Sequence, residues 1–492
     1  MLRPAQPDYR AVEALTSQRQ MQIPDHSFPK RPKIHQEVVH RPQETTLAKF
    51  VAGIWEQIHS GTQLDAHSIL EYWPKTTGAE TMPLLDSDHR SVAFLSANGV
   101  ACPSDAHNSF NQINNLCRKI TQASRTYRSV EVIVQARWVE HFDSYVGSLA
   151  VTHPAMSATK RRRAALMEAC NDFGWQEKEM RNKMAVWRGY KEIKDAGGWA
   201  ALVFAGMGIY RFCKYRIGMN PESMQCLRRL RSRIEVAADT LHPSWRQLLV
   251  IVGEPPQRRF TGQSHDWVVF PDGSDPVSLR SMYFAYDQLF SFEHLEEPLV
   301  DVNVWGCDDP RWVPPLDVVV AGRTALDTCR KCEQDQSDDP KLKACHCFPS
   351  LFGGPARALC PVQIFRTSDG RNNGLQALVA FERGATIGEF VGLVTNGMRD
   401  VDVMDSSAAG RSFQIWQGRQ GNYTRFVNHS CKPNAQFESF VWMSAQRIIL
   451  VSKGVGAGEE ITVDYSRSHW RGLDKQCLCG ESCCRYKFID KP

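Results

Sequence analysis

The sequence predicts an α+β multidomain chain, with a mostly helical N-terminal region and a β-rich C-terminal domain that ends in a cysteine tail. Three observations carry that prediction. Apolar residues recur at helical spacing in two stretches: Leu47, Phe50, Val51, Ile54 and Ile58 in the first, and Leu166 through Met180, Met184, Trp187 and Ile193 in the second. From about residue 363 the pattern changes to short β-favouring runs punctuated by Gly, Asn and Ser. Eleven of the 16 cysteines fall between Cys307 and Cys484, most in closely spaced pairs, which scattered core cysteines would not do.

Composition narrows the class. A chain of 492 residues has room for two to four domains. Its 42% hydrophobic and 23% charged residues are those of an ordinary globular protein. The N-terminus, MLRPAQPDYR, lacks the apolar run of a signal peptide, and the longest apolar stretch, residues 199–210, is too short and glycine-rich to span a bilayer. An intracellular protein without a membrane span is expected, with cysteines that are free thiols or metal ligands.

Taken in order, residues 1–45 hold six prolines and little periodicity, and read as a disordered arm. Within it, PKRPK at 29–33 is compatible with nuclear import or with a solvated basic tail. Residues 46–124 open with a helix capped by Thr45 or Thr46, which packs on its own core or receives a partner. Residues 125–250 read as a basic helical module, with a helix starting at Ser157. Between Met156 and Arg233 there are 17 Lys and Arg against 7 Asp and Glu, an excess of ten in a chain whose net charge is +5. With Trp138, Trp175, Trp187 and Trp199 interleaved, that face either attracts phosphate or is a solvated scaffold surface. Residues 251–328 read as a connecting region with candidate strands at 267–270 and 318–320. Then come a cysteine-rich stretch (329–360), a β-rich domain (361–466) with runs at 363–365, 387–391, 440–442 and 447–451, and a tail (473–489).

The chemistry sits near the C-terminus. Residues 425–434 read RFVNHSCKPN, residues 458–465 read GEEITVDY, and Cys477 opens CLCGESCCR. Each part alone is a weak signal, and the set is a strong one. Zinc needs about four thiolate or imidazole ligands, and CxC and CxxC steps supply them at little entropic cost.

This compound pattern resembles the SET-domain protein-lysine methyltransferases, in a large, fungal-type version with a post-SET tail and a reduced pre-SET region. The resemblance covers roughly residues 329–489. It implies a SET fold with a knot-like core formed by the NHSC segment, and S-adenosylmethionine held by Asn373, Gly374, Arg425, Phe426, Asn428, His429 and Tyr465. It also implies that Tyr465 is catalytic, that Cys431, Cys477, Cys479 and Cys484 bind one zinc with Cys483 spare, and that Cys329, Cys332, Cys345 and Cys347 bind a second.

Three departures stand out against the family. Asn372 and Asn373 replace a glycine and an aromatic before Gly374. Phe413 stands where a tyrosine is common. Val463 replaces an aromatic that tunes methyl number, which implies a roomier pocket permissive of higher methylation. The functional expectation is a nuclear enzyme that methylates lysine in histone tails or other proteins, with DNA or nucleosome contact through residues 156–233. Two other readings are a SET-domain chromatin scaffold of weak or no activity, and a zinc-dependent nucleic-acid-binding protein.

Overall fold

Capping and apolar spacing account for the helical half. The computed structural model describes residues 45–60, 64–66, 69, 106–114, 117, 128–206, 208–284, 287–314, 328–339, 341–353, 359–399, 402–470 and 476–486. The proline-rich arm, its basic cluster and the 318–320 run lie outside them. Helix α1 (Thr46–His59) is capped by Thr45, whose hydroxyl accepts from the Ala48 N–H at 3.1 Å. It buries Phe50, Ile54, Trp55 and Ile58, so the predicted stripe faces the protein's own core.

Helix α2 (Arg128–Thr152) buries residues on all sides, as a central helix does. Helix α3 (Ala158–Phe173) begins at Ser157, as expected, and stops at Gly174. Helix α4 (Glu177–Val203) packs against α2 and against α6 (Pro221–Leu241), with α5 (Gly208–Tyr215) beside it. It kinks at Gly198, where φ of 80° would strain any side chain. Trp138 and Trp187 meet edge to face in the bundle centre, ring centroids 5.1 Å apart, and both are buried. Two of the four interleaved tryptophans are therefore core residues, and Trp175 and Trp199 pack against the same core.

The β-rich half holds three main sheets. The first has the order β12 (Asn428–His429), β15 (Glu460–Val463), β6 (Asn373–Ala377), β5 (Val362–Arg366). The second is β13 (Ala435–Trp442), β14 (Ala445–Ser452), β7 (Thr386–Glu389). The third is β4 (Leu299–Val300), β8 (Leu393–Thr395), β10 (Arg411–Trp416), β9 (Val403–Ala408). Residues 264–305, read from sequence as a connector, are built into this half. Strand β1 (Trp267–Val268) pairs with β2 (Val277–Ser278), and the neighbouring Val269 bridges to Phe365 of β5. Strand β3 (Glu293–His294) runs parallel to β11 (Gln420–Gly421), and β4 runs parallel to β8. The candidate strand at 267–270 contains β1, whereas β2, β3 and β4 are two-residue strands that carry no periodicity to mark them.

One buried carboxylate joins the two halves. Asp239, near the end of α6, is 0% exposed. It accepts from Trp245 Nε1 at 2.7 Å, from Arg246 at 2.7 and 3.0 Å, and from the N–H groups of Arg259 and Phe260 at 2.9 and 3.2 Å. Those bonds place Phe260 in a small core with Val236 of α6, Val269 and Phe365 of β5. Asp239→Ala leaves the Arg246 guanidinium, the Trp245 indole N–H and two main-chain N–H groups without this acceptor. It should lower stability by about 3–5 kcal/mol in urea unfolding, against less than about 1 kcal/mol for exposed Asp275→Ala.

Candidate active site

Strand β12 runs parallel to β15, with Asn428 opposite Thr462 and His429 opposite Val463, and the Ser430 N–H donates to the Val463 carbonyl at 2.9 Å. Strand β6 flanks β15 on its other edge. These pairings gather the NHSC segment, the ITVDY segment and Asn373–Gly374, stretches far apart in the chain.

Side chains then lock the cluster. Asn428 Nδ2 donates to the Asn373 carbonyl at 3.1 Å and to Glu460 Oε1 at 2.8 Å, and Glu460 Oε2 accepts from Arg371 at 2.7 Å. A Cβ on Gly374 would come within 2.7 Å of Glu460 Oε1 and 2.8 Å of the Phe365 ring, so only glycine fits there. Asn372 adopts φ of 65°, the left-handed conformation that asparagine tolerates and the glycine it replaces would take freely. Asn373 is buried, and its Oδ1 has no partner among the described residues, so it can accept from a ligand.

His429 is fixed at both nitrogens. The Tyr465 N–H donates to Nδ1 at 3.1 Å, which leaves Nε2 to donate toward Cys431 Sγ at 3.3 Å. Burial holds this histidine below its ordinary pKa, so the ring is neutral. The Tyr465 hydroxyl donates to the Val427 carbonyl at 2.6 Å. Burial, with the Asp402 and Glu460 carboxylates nearby, pushes its pKa up, so the phenol keeps its proton.

Arg425 is held as a strut. Its guanidinium donates to the Gly418 carbonyl and to Asp402 at 3.0 Å. The rings of Tyr283, Phe290, Phe292 and Phe426 surround it at 5.3–6.0 Å. Three of these rings come from residues 279–292, and sequence reading missed them because no local motif ties them to the site. Phe413 is 1% exposed and packs with Val394, Ile415 and Ile448. It is a core residue of the third sheet. Val463 is also buried, in the core that Tyr465 borders.

The cysteines gather as expected. The sulfurs of Cys431, Cys477, Cys479 and Cys484 lie within 4.8 Å of one another, and so do those of Cys329, Cys332, Cys345 and Cys347. A tetrahedral zinc with bonds of about 2.3 Å sets its sulfurs about 3.8 Å apart, so both groups fit the ion. Cys483 stays exposed beside the first group. Burial opposes ionisation of Cys329 and Cys479. Main-chain N–H groups aimed at each sulfur, with bonds from the neighbouring cysteines, overcome it and bring both down to about 7. Metal analysis of the full chain should find two zinc ions per molecule. Cys431→Ser should lose one of them, and Cys483→Ser should keep both.

The chain is similar to several known proteins. The SET domain family model matches residues 372–466. A SET domain-containing protein of Phaeosphaeria nodorum is 54% identical over 482 residues, covering 96% of this chain and 75% of that protein. The histone-lysine N-methyltransferase SUV39H2 of Gallus gallus is 29% identical over 178 residues, which is 29% of this chain and 43% of that protein. The solved structure titled "crystal structure of KRYPTONITE in complex with mCHG DNA and SAH" overlaps 44% of this chain and 50% of that one at 18% identity, and its TM-score of 0.31 is too low to carry an argument. The site, the two thiolate clusters and identity along three quarters of the Phaeosphaeria protein place this chain in the SET-domain family.

Proposed function

We propose that this protein is an S-adenosylmethionine-dependent protein-lysine N-methyltransferase that acts on histone tails in the nucleus. The observation that carries this reading is the juxtaposition of the locked Asn428–Asn373–Glu460 cluster, with its unpartnered Asn373 oxygen, and the buried phenol of Tyr465. Histone as the target class is supported by relatives named histone-lysine N-methyltransferases, although each aligns with only part of this chain.

The donor, when bound, supplies a methyl group on a sulfonium, which is already a good leaving group. Asn373, Gly374, Asn428 and His429 would hold it, with Phe426 beside them and Arg425 bracing the loop from behind. The enzyme's own task is to present a neutral amine in line. A lysine of pKa about 10.4 is deprotonated in roughly one molecule per thousand near neutral pH, and burial lowers that pKa. Tyr465 donates its proton to Val427, so its oxygen keeps lone pairs with which to accept an amine N–H and orient the nitrogen.

Asn372, one departure from the family pattern, still makes the left-handed turn that the family's glycine would make. Calorimetry should show S-adenosylmethionine binding to the full chain, and labelled donor should mark core histones. Tyr465→Phe should cut turnover by about a hundredfold or more while donor affinity changes by less than about threefold. Wild-type rate should rise between about pH 7 and pH 9, because more of the lysine is neutral while Tyr465 stays protonated. Donor binding without methylation of any lysine would return the reading to a scaffold.

Nucleosomal DNA is the proposed partner of residues 156–233. Some of their positive charges are held in ion pairs, such as Arg188 with Asp143, Lys194 with Glu140 and Arg216 with Glu192. Arg162 at the start of α3 and Lys178 on α4 are exposed, with no ion pair among the described residues. Binding to a DNA duplex should weaken steeply with salt, and Arg162→Glu with Lys178→Glu should weaken it further and flatten that dependence.

A further inference from the structure

Tyr283 belongs to the short helix Leu279–Phe284, well upstream of the SET match that begins at residue 372. Its ring stacks on Phe290, with centroids 4.2 Å and planes 14° apart. Phe290 is part of the core that also holds Leu375 of β6, Phe426 and Val427, and Tyr283 packs against that core. The Arg425 guanidinium lies 5.9 Å from the Tyr283 ring centroid and is itself bonded to Asp402 at 3.0 Å. The ring is therefore fixed from two directions, by an aromatic stack and by a cation that has its own anchor.

The fixed ring carries its oxygen to Asn373, whose side-chain amide donates to it. An asparagine side chain has one donor end and one acceptor end, so committing Nδ2 to Tyr283 leaves Oδ1 as the end on offer. That is the observed state, since Asn373 is 6% exposed and its Oδ1 has no partner among the described residues. The main chain does not settle which way the amide faces, because the bond from Asn428 goes to the Asn373 carbonyl and not to its side chain. Without the phenol oxygen the amide can turn over, and the site then presents N–H groups where it had presented a lone pair.

The phenol suits this task. Burial raises its pKa, and the Asp402 carboxylate acts in the same direction, against the opposing effect of Arg425 and Arg366. Tyr283 therefore stays neutral, and a neutral hydroxyl oxygen keeps lone pairs to accept the Asn373 N–H.

We propose that Tyr283 is a positioning residue of the donor site, which sets the Asn373 amide with its oxygen toward S-adenosylmethionine and buttresses Arg425. This assignment rests on the methyltransferase reading given above. The donor carries N–H and O–H groups on its ammonium, ribose and adenine, which a buried carbonyl oxygen can accept. Tyr283 acts through Asn373 and Arg425, so it governs how tightly the donor is held and leaves the methyl-transfer step to Tyr465. A segment outside the SET match thus completes the site chemically as well as sterically.

The test is calorimetry of the full chain with S-adenosylmethionine, followed by turnover on core histones. Tyr283→Phe keeps the ring and its stack on Phe290 and removes only the oxygen. It should weaken donor binding by about fivefold, raise the donor KM by a similar factor and leave kcat within about twofold, at an unchanged melting temperature. Asn373→Ala should weaken binding to a comparable degree, and adding Tyr283→Phe to it should bring no further loss, because the oxygen acts through that amide. Wild-type protein that binds no donor overturns the methyltransferase reading and this assignment together. Where wild-type protein does bind, unchanged affinity in Tyr283→Phe, the same loss with and without Asn373→Ala, or a fall in kcat at constant donor KM overturns the assignment alone.

Discussion

The chemistry of this chain hangs on a main-chain constraint, the parallel pairing of Asn428–His429 with Thr462–Val463. A pair of two-residue length has few hydrogen bonds of its own, so neighbours must hold it in register. Asn434 does so from one side, donating to the Glu460 carbonyl at 2.9 Å and accepting from the Thr462 N–H at 2.9 Å. With that register set, Asn428 lies against Asn373, and His429 receives the Tyr465 N–H.

The same loop carries Cys431, the first cysteine of one thiolate cluster. Cys431 follows His429 by two residues and contacts it through Nε2, so the metal cluster and the histidine of the site share one short backbone. The tail also reaches back through Arg485, which pairs with Asp464 at 2.6 Å beside Tyr465. That pair is exposed and adds little by itself. Four thiolates closing on one ion would supply far more order and would hold the tail near the site.

The family match covers residues 372–466, yet the described residues from 45 to 486 form one compact unit. Segments outside the match complete the site and brace it. Tyr283, Phe290 and Phe292 form three walls of the box around Arg425, and Asp239 ties α6 to the loop that packs on β5. The helical bundle is therefore built onto the same sheet that carries Asn373 and Asn428.

Read alone, the sequence determined the local features. Thr45 and Ser157 mark helix starts because a hydroxyl three residues before an N–H can cap it. The runs at 363–365, 440–442 and 447–451 are strands because β-branched and aromatic residues suit a half-buried pleat, while the run at 387–391 leaves β7 after Glu389. The C-x-C-x4-C spacing and the NHSC cysteine named one ligand set, and the CxxC and CxC steps named the other. Only the tertiary structure decided the rest. It sent Phe413 and two of the tryptophans into cores, brought residues 264–305 into the sheets, and set Tyr283 beside Arg425 and Asn373. The physical reason is range. Caps, strands and thiolate pairs are settled within a few residues, whereas burial and the pairing of two-residue strands depend on which distant segment arrives opposite.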